Sequence, residues 1–334
     1  MSTSQREGVV GVLIQTVYHG NGEIVSLGTQ KTILFVKRVT MEIMQKQQQE
    51  RFTKMPTMKG TCFQIGADPE FFLKQKRKGG RFIGAWEVTS GTKQHPILLP
   101  WPCEGKIQVD GFALEFNTTP KQMLGSFVNE IKICRDIIQT HYLSTRQLKL
   151  SSESTVDFDD VEWERAPEEN RELGCDPDYS AYTLNLNPTP DRKVKFRTAA
   201  GHIHIGWGSR FEIDSDYISL CAAIVREMDA TLGVASLLFD PDTKRRSLYG
   251  KAGAFRPKQY GVEYRVLSNR WTNNSKLVGY IYKLSFLAIK RMMYKQSIHV
   301  PEVQDIINND DKQRALEFLY DTRCPLPPAS ERIF

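Results

Sequence analysis

Four apolar stretches of the sequence each carry two polar side chains that are two residues apart. The pairs are Asp68 with Glu70, Glu115 with Asn117, His202 with His204, and Glu263 with Arg265. In a β-strand, residues i and i+2 point to the same face. The simplest joint interpretation is one sheet with an apolar face packed on helices. Its second face would carry carboxylates, two imidazoles and a guanidinium.

Each pair taken alone has a plainer interpretation. Asp68-Pro69-Glu70 is consistent with a turn that carries two solvated acids. Because proline donates no ladder hydrogen bond, a strand at this point would lie at a sheet edge. Glu115 fits an exposed strand face, the two histidines fit a structural role, and Glu263 with Arg265 fits a surface ion pair. All four pairs at period two in one chain favour the joint interpretation.

A polar face of this composition fits divalent cations and phosphate. Clustered carboxylates repel each other unless a cation lies between them. Hard oxygen ligands suit Mg²⁺ or Mn²⁺, and an imidazole among them is compatible with Mn²⁺. Divalent cations and arginine together neutralise a phosphoryl group during its transfer. A basic loop is predicted over 242–258, just before the Glu263 strand, and its side chains from Lys244 to Lys258 offer further phosphate contacts.

The order of the predicted elements indicates an α+β fold. Strands are predicted over 62–73, 82–88, 107–118, 194–207 and 260–268, and helices over 122–142, 217–238, 276–294 and 302–320. Strands and helices do not alternate regularly, which favours a mainly antiparallel sheet over a doubly wound one. Residues 1–58 share no motif with the rest. They are predicted to be an N-terminal extension or small β-rich module ahead of one large domain over 59–334.

Charge, cysteines and missing motifs narrow the class of protein. The chain has 334 residues, a net charge of +6 and six scattered cysteines with no CxxC pair. This cysteine pattern fits a reducing cytoplasm, and neither a zinc ribbon nor a disulfide scaffold. No stretch approaches the roughly 18–20 apolar residues of a membrane-spanning helix. The Walker-type loop, the GxGxxG loop, the kinase motifs and the GxSxG elbow are absent, so any use of ATP would not rely on those loops.

The motifs together resemble a known family. GADPEFFL, VDGFALEFNTTP, GCDPDYSAYT, FRTAAGHIHIGW and YGKAGAFRPKQYGVEYRVLSN occur in this order. Over about residues 62–272 they resemble the bacteriophage carboxylate–amine ligases (amidoligases, type 2) of the glutamine synthetase and glutamate–cysteine ligase superfamily. The resemblance implies a glutamine synthetase-like, antiparallel, barrel-like sheet with flanking helices. It also implies a ligase that uses ATP and Mg²⁺ or Mn²⁺ to form an amide or peptide bond through an acyl phosphate, in the host cytoplasm if the chain is phage-encoded.

The resemblance also implies roles for individual residues. The expected metal ligands are Asp68, Glu70, Glu115, His202 and Glu263. The expected nucleotide contacts are His204, Arg246, Lys251 and Arg256. Arg265 would bind the transferring phosphoryl group, and Glu70 would act with it in catalysis. The expected substrate contacts are Asn117, Asp176 and Asp178.

The assignments at Asp68, at the two histidines and at Asp110 leave alternatives open. Asp68 stands where the superfamily usually has glutamate, so this shorter side chain would act through water. The order of the histidines favours His202 over His204 as the metal ligand. Asp110 is one candidate to accept the proton of the attacking amine, although its position before Gly111 fits a turn residue better.

Other classes of function remain as alternatives. The main one is a basic nucleic-acid-binding or virion protein without ligase activity, based on the basic charge and the run KQKRKGGR at 74–81. The basic clusters lack the interleaved aromatic residues of single-strand binders. A metal hydrolase would need more ligating histidines. A degenerate ligase fold does not fit the presence of every acid and of Arg265. The expected partners are therefore small-molecule or peptide carboxylates and amines, and neither nucleic acid nor a membrane.

Overall fold

The computed structural model of the chain describes residues 63–171, 178–188, 195–208 and 210–333. The predicted extension over 1–58 and the predicted substrate residue Asp176 lie outside the described residues. The strands are β1 (Gln64–Phe71), β2 (Leu73–Gln75), β3 (Phe82–Ile83), β4 (Ile97–Leu98), β5 (Lys106–Asp110), β6 (Ala113–Asn117), β7 (Leu148–Leu150), β8 (Thr155–Asp157), β9 (Tyr179–Ser180), β10 (Phe196–Thr198), β11 (Gly201–Gly206), β12 (Ala254–Lys258) and β13 (Gly261–Tyr264).

The α-helices are α1 (Leu124–Ile137), α2 (Asp160–Arg165), α3 (Glu168–Arg171), α4 (Ser215–Met228), α5 (Val234–Ser236), α6 (Thr243–Leu248), α7 (Ser275–Met293), α8 (Glu302–Asn308) and α9 (Lys312–Asp321). A π-helical segment extends α1 over Ile138–Leu143, and another joins α4 to α5 over Asp229–Gly233. Short 3₁₀ turns lie at Ala85–Glu87, Ser144–Arg146, Asn269–Asn273 and Ala329–Glu331. No helix in the described part of the chain has the length and apolar character needed to cross a membrane.

One large antiparallel sheet organises the described part of the chain. Its eight strands follow the order β4-β5-β6-β1-β11-β13-β12-β9, and each of its pairings is antiparallel. The predicted α+β class and the mainly antiparallel sheet are confirmed. The sheet is not closed into a barrel, because its order ends on two separate edge strands, β4 and β9, of two residues each.

The strand that carries Asp68 and Glu70 lies inside the sheet, so the predicted edge position at Pro69 is wrong. Strand β1 pairs with β11 over Gln64–Pro69 and with β6 at Glu70 and Phe71. The amides of Ile65 and Ala67 donate to the segment that follows β6. Because alternate residues of a strand direct their nitrogens to the same side, the nitrogen of Pro69 also faces this segment, where proline is tolerated. The regular pairing with β6 begins only one residue later, so Pro69 removes no bond of the ladder.

The face of the sheet opposite the polar pairs is apolar and buried. Ala67, Leu114, Ile203 and Val262 alternate with the polar residues, and each is at most 3 % exposed. Helix α4 packs against β12 and β13, and α7 lies against both α1 and α4. This confirms the predicted sheet with one face covered by helices, and it leaves the polar face free to form a site.

The helical layer depends on a stacked aromatic contact. Phe127 on α1 is fully buried and stacks on Trp271, with ring centroids 6.2 Å apart. We expect Phe127→Ala to lower the free energy of unfolding by about 3–5 kcal/mol, because it removes a buried ring and leaves a cavity. Denaturant titration measures this loss. The control is Phe286→Ala on α7, whose ring is 51 % exposed; an equal loss in both variants would contradict the described packing.

Several predicted elements are divided in the structure. The predicted strand 107–118 is the hairpin β5–β6, because Gly111 turns the chain with a φ of +57°. The predicted strand 194–207 is split between β10 and β11, which belong to different sheets. The predicted helix 302–320 is two helices, α8 and α9, separated by Asp310 in a left-handed conformation. The basic stretch predicted as a loop forms α6 and β12.

Candidate functional site

The four polar pairs lie on or directly after four adjacent strands, β6, β1, β11 and β13, with Arg265 one residue beyond β13. The register places Glu70 opposite Glu115, Asp68 opposite His202, and His204 opposite Glu263. Directly opposed residues of an antiparallel pair point to the same face. The neighbouring strands extend the rows, because Gln108 of β5 lies opposite Glu115 and Arg256 of β12 lies opposite Glu263. The eight residues therefore form one continuous polar face.

A first group of possible metal ligands consists of Asp68, His204 and Glu263. One ligand atom from each lies within 4.8 Å of the others, and Asp68 Oδ2 is 3.0 Å from His204 Nε2. Although Asp68 Oδ1 and His204 Nε2 are buried, neither has a hydrogen bond of acceptable geometry. Buried polar atoms are normally satisfied. A carboxylate and an imidazole with unused ligand atoms, beside the carboxylate of Glu263, fit Mn²⁺ or Mg²⁺.

A second group of possible metal ligands consists of Glu70, Asp110 and Glu115, again with one oxygen from each within 4.8 Å of the others. The amide of Ala200 donates to Glu70 Oε2 at 2.8 Å. Gln108 Nε2 and Asn117 Nδ2 both donate to Glu115 Oε1, at 3.0 and 2.8 Å. These bonds orient the two buried glutamates and leave the other oxygen of each for a cation. An all-oxygen set of this kind suits Mg²⁺.

Asp110 is a candidate ligand that the sequence analysis did not include among the expected metal ligands. It is the last residue of β5, so the turn interpretation was correct about its position, yet its side chain reaches Glu70 and Glu115. Lys93 Nζ lies 2.9 Å from Asp110 Oδ1. The register of the hairpin explains the position of Asp110. Gln108 lies opposite Glu115, and Asp110 is two residues from Gln108 on the same strand, so all three side chains share one face.

The second group is electrostatically unfavourable without a cation. Burial, followed by the nearby charge of Asp110, raises the pKa of Glu70 to about 7. Burial, followed by the charges of Asp68 and Asp110, raises the pKa of Glu115 well above its usual value. Acids with raised pKa values in a shared cluster repel each other when ionised. A divalent cation would relieve this repulsion.

The first group holds opposite charges in contact. Burial opposes ionisation of Asp68, but His204 and His202 together lower its pKa well below the usual value. Burial and the charge of Arg265 lower the pKa of His202 to about 4, so this ring is neutral at neutral pH. Burial also disfavours the charged form of His204, but Asp68 outweighs it and raises the pKa. His204 therefore has the closer electrostatic link to Asp68.

Arg265 follows β13, contacts the first group, and lies close enough to Glu70 for its charge to favour the ionised form of that carboxyl by lowering its pKa. Its guanidinium contacts Glu263 of the first group, and its Nε donates to Asp178 Oδ2 at 3.3 Å. It also lies 3.5 Å from His202 Nδ1. The arginine is 6 % exposed, and it lines a cleft together with Glu70 and other residues of the polar face. A buried guanidinium beside both acid groups is suited to bind an anion held there.

The cleft lies over the second group and has a volume of about 520 Å³. Trp86 and Phe112 line one part of it, and Lys93, Arg197 and Arg245 bring positive charge. The Arg197 guanidinium lies 4.5 Å from the centre of the Trp163 ring. The cleft thus combines an aromatic wall, cationic groups and carboxylates, which is a common composition for a small-molecule site.

The predicted nucleotide residues are placed differently from one another. Arg256 NH1 lies 3.9 Å from Glu263 Oε1, at the first group. Lys251 is exposed. Arg246 is buried away from this face, where it donates to Asp310 Oδ1 at 2.7 Å. Lys258, which the prediction omitted, reaches Glu263 Oε2 at 2.8 Å.

Each of the two predicted substrate contacts that the structure describes, Asn117 and Asp178, forms hydrogen bonds with neighbouring side chains. Asn117 donates to Glu115, as noted above, and Asp178 accepts from Arg265 and from Asn187 Nδ2, the latter at 2.8 Å. Arg245 lines the cleft although its neighbour Arg246 does not contact the polar face. No sequence signal separates these adjacent arginines, because their difference is the direction in which α6 presents each side chain.

The basic run at 74–81 is partly neutralised by acids. Lys74 Nζ lies 2.9 Å from Glu153 Oε1, and Arg81 Nε lies 2.7 Å from Asp159 Oδ2. Both pairs are exposed on the small sheet β3-β2-β7. They weaken the argument that this run forms a surface for nucleic acid.

Comparison with known families supports the same class of activity. The model of the family described as "Phage phiEco32-like COOH.NH2 ligase-type 2" matches residues 189–323. The match confirms the resemblance that the motifs predicted, and it supports a carboxylate–amine ligase in general. It covers β11 and β13 with their histidines, Glu263 and Arg265. A search of the curated proteins found no match.

The raised pKa values give a testable dependence of stability on pH. A carboxyl whose pKa is raised by folding binds more protons in the native than in the unfolded state, so stability falls as pH rises above its unfolded value. For Glu70 the window runs from about 4.5 to about 7. We expect the melting temperature of the metal-free protein to fall across this window, and Mn²⁺ to reduce the fall. Thermal melts with and without Mn²⁺ at each pH measure it. A pH dependence that Mn²⁺ leaves unchanged would contradict the second group as a cation site.

Proposed function

We propose that this chain is an ATP- and Mg²⁺- or Mn²⁺-dependent ligase that forms an amide or peptide bond between a carboxylate and an amine through an acyl phosphate. The proposed fold relationship is to glutamine synthetase, with an open sheet in place of a closed barrel. The observation that carries the proposal is the polar face itself: two groups of candidate cation ligands, with a buried arginine at the first group, beside a cleft large enough for a substrate.

The proposal assigns a cation to each group. Asp68, His204 and Glu263 would hold one, and Glu70, Asp110 and Glu115 would hold another. His202, close to Asp68 and Glu263, is a further candidate at the first group, with Nδ1 3.2 Å from Asp68 Oδ1. When bound, such cations neutralise negative charge on the phosphates of ATP. Both groups offer ligand atoms that hydrogen bonds within the protein do not use, which supports this assignment.

The basic residues divide between the two reactants in this proposal. Arg256 and Lys258 lie at the first group, where they would bind the phosphates of the nucleotide. Arg265 would stabilise the equatorial oxygens of the phosphoryl group during transfer. Asp178 and Glu263 position this arginine by accepting its hydrogen bonds. The carboxylate substrate would enter the cleft beside Glu70, where Lys93, Arg197 and Arg245 favour an anion.

An acyl phosphate explains why such a reaction needs ATP. A carboxylate is a poor acyl donor because oxide would have to leave. Transfer of the terminal phosphoryl group to the carboxylate oxygen makes phosphate the leaving group. The nitrogen of a neutral amine then forms the new bond to the acyl carbon as the bond to the phosphate oxygen breaks. The products are an amide, ADP and inorganic phosphate.

Analysis of nucleotide products tests the proposal. The full chain is incubated with ATP, Mg²⁺ or Mn²⁺, and pools of amino acids, short peptides and amines, and nucleotides are separated by chromatography. We expect release of ADP that depends on both the amine and the carboxylate pool. Release of AMP and pyrophosphate would contradict the acyl phosphate route and indicate an acyl adenylate.

A further inference from the structure

Two cysteines that are far apart in the sequence meet beneath the hairpin that carries Asp110 and Glu115. Cys103 lies between β4 and β5, and Cys134 lies on α1. Their sulfur atoms are 2.7 Å apart, which is closer than two sulfur atoms in van der Waals contact. Both are free thiols in the structure. Cys103 is 7 % exposed and Cys134 is fully buried.

The backbone at Gly105 lies close to both sulfur atoms and limits the space around them. The amide of Gly105 donates to Cys103 Sγ at 3.2 Å. A Cβ atom at Gly105 would lie 2.8 Å from Cys134 Sγ and 3.2 Å from Cys103 Sγ, so any larger residue would press on the pair. The segment is fixed on its other side because the amide of Leu99 donates to the carbonyl of Gly105 at 2.9 Å.

We propose that Cys103 and Cys134 form a reversible disulfide that ties the base of the β5–β6 hairpin to α1. With a peroxide as oxidant, one thiol attacks an oxygen of the peroxide and becomes a sulfenic acid as water leaves. The second thiol then attacks the sulfenic sulfur, and a second water leaves. Two thiols and one hydrogen peroxide thus give one disulfide and two waters. A dithiol reductant restores both thiols.

A metal ion held by the same residues fits the geometry less well. Glu130 Oε1 lies 4.0 Å from Cys134 Sγ, so the three side chains could surround an ion. Two thiolates on tetrahedral zinc would stand about 3.8 Å apart, given a Zn–S bond of about 2.3 Å. The observed sulfur atoms are much closer. In addition, Lys121 Nζ lies 3.6 Å from Glu130 Oε2 and already offsets its charge.

The disulfide would act on the hairpin that carries two of the three residues of the second acid group, Asp110 and Glu115. The cross-link closes a loop across a separation of 31 residues, which includes all of β5 and β6. Burial raises the pKa of both thiols, so we expect the bond to form slowly at neutral pH. The cross-link itself is independent of the proposed function. Only its effect on Asp110 and Glu115 as cation ligands rests on that function.

Mass spectrometry of the full chain tests the proposal. The protein is treated with hydrogen peroxide, free thiols are alkylated, and the digest is searched for a peptide that joins Cys103 to Cys134. We expect this peptide, its loss on dithiothreitol treatment, and a melting temperature about 5 °C or more higher in the oxidised protein. Cys103→Ser and Cys134→Ser should abolish the peptide and the shift, and Cys324→Ser should keep both.

Two results would overturn the proposal. One is complete alkylation of both cysteines after peroxide treatment and denaturation. The other is tightly bound zinc in the purified protein that is lost in Cys134→Ser, since the thiols would then be metal ligands. Alkylation and the zinc content are both measured first on the wild-type protein, and only the assignment of bound zinc to these thiols uses the Cys134→Ser variant.

Discussion

Replacing Arg265 with alanine is expected to lower kcat/KM for ADP formation by about 10³-fold or more, the range found for arginines that stabilise a transferring phosphoryl group. The side chain is buried and contacts Glu263, Asp178 and His202. Its removal also leaves the buried Glu263 and the half-buried Asp178 without this partner, so we expect a lower melting temperature. The measurement is a coupled assay of ADP release, together with a thermal melt of the same preparation.

Two further variants separate the chemical role of Arg265 from its structural one. Arg265→Lys keeps the positive charge but loses the planar fork, so stability should largely return while activity stays low. Arg81→Ala removes an arginine that pairs with Asp159 on the surface, and it should leave activity unchanged. Full activity in Arg265→Ala would contradict the assigned site. Full recovery in Arg265→Lys would reduce the role of this residue to charge alone.

Replacing Glu70 with glutamine is expected to abolish turnover and yet to stabilise the metal-free protein at pH 8. Folding raises the pKa of Glu70 from about 4.5 to about 7. The ionised carboxylate therefore costs the native state on the order of 3 kcal/mol above pH 7. Glutamine removes that charge and still accepts the hydrogen bond from the amide of Ala200. Denaturant titration at pH 8 and at pH 4.5 measures the difference, which should nearly vanish at the lower pH.

The response to cations completes this prediction. In the wild-type chain, Mn²⁺ should raise the melting temperature at pH 8, and in Glu70→Gln this rise should be strongly reduced. Glu153→Gln changes a surface carboxylate that pairs with Lys74, so it should respond to Mn²⁺ like the wild type. If Glu70→Gln keeps both turnover and the response to Mn²⁺, the second acid group is not a cation site.

The sequence was sufficient to predict which strands form the polar face. Period-two alternation is local, and the flanking apolar residues Ala67, Leu114, Ile203 and Val262 are indeed buried. Alternation alone does not determine which strands are neighbours. The order β6-β1-β11-β13 depends on contacts between segments up to about 200 residues apart, such as the bond from Asn269 to the carbonyl of Glu70. The grouping of ligands could therefore not be derived in advance.

Position along a strand explains the difference between the two histidines. Sequence order favoured His202 as the metal ligand, whereas the structure includes His204 in the group with Asp68 and Glu263. His202 lies opposite Asp68, and His204 lies one row further along, opposite Glu263. His202 also lies near both acids, with Nδ1 3.2 Å from Asp68 Oδ1 and 3.5 Å from Glu263 Oε1. Which ring could share a cation with them depends on side-chain directions across strands, which the sequence does not contain. The choice between the two histidines stays a prediction.

Turns were the least predictable part of the chain. Gly111 divides one predicted strand into the hairpin β5–β6, and the hairpin places Asp110 and Glu115 on the same face. Asp310 ends one predicted helix, and its carboxylate binds Arg246, whose predicted contact with the nucleotide stays a prediction. In both cases a single residue in a left-handed conformation redirects the chain. The pattern of apolar residues continues across it, so periodicity alone shows no break.

The proposed function requires that the polar face of the sheet binds divalent cations at both groups of candidate ligands. A crystal structure of the full chain with Mn²⁺ and a non-hydrolysable ATP analogue, with anomalous scattering recorded for manganese, tests it most directly. We expect one anomalous peak at the first group (Asp68, His204 and Glu263) and another at the second group (Glu70, Asp110 and Glu115). The phosphates of the analogue should lie beside Arg256 and Arg265. Bound analogue with no manganese at either group would contradict the assignment of the two groups as cation sites.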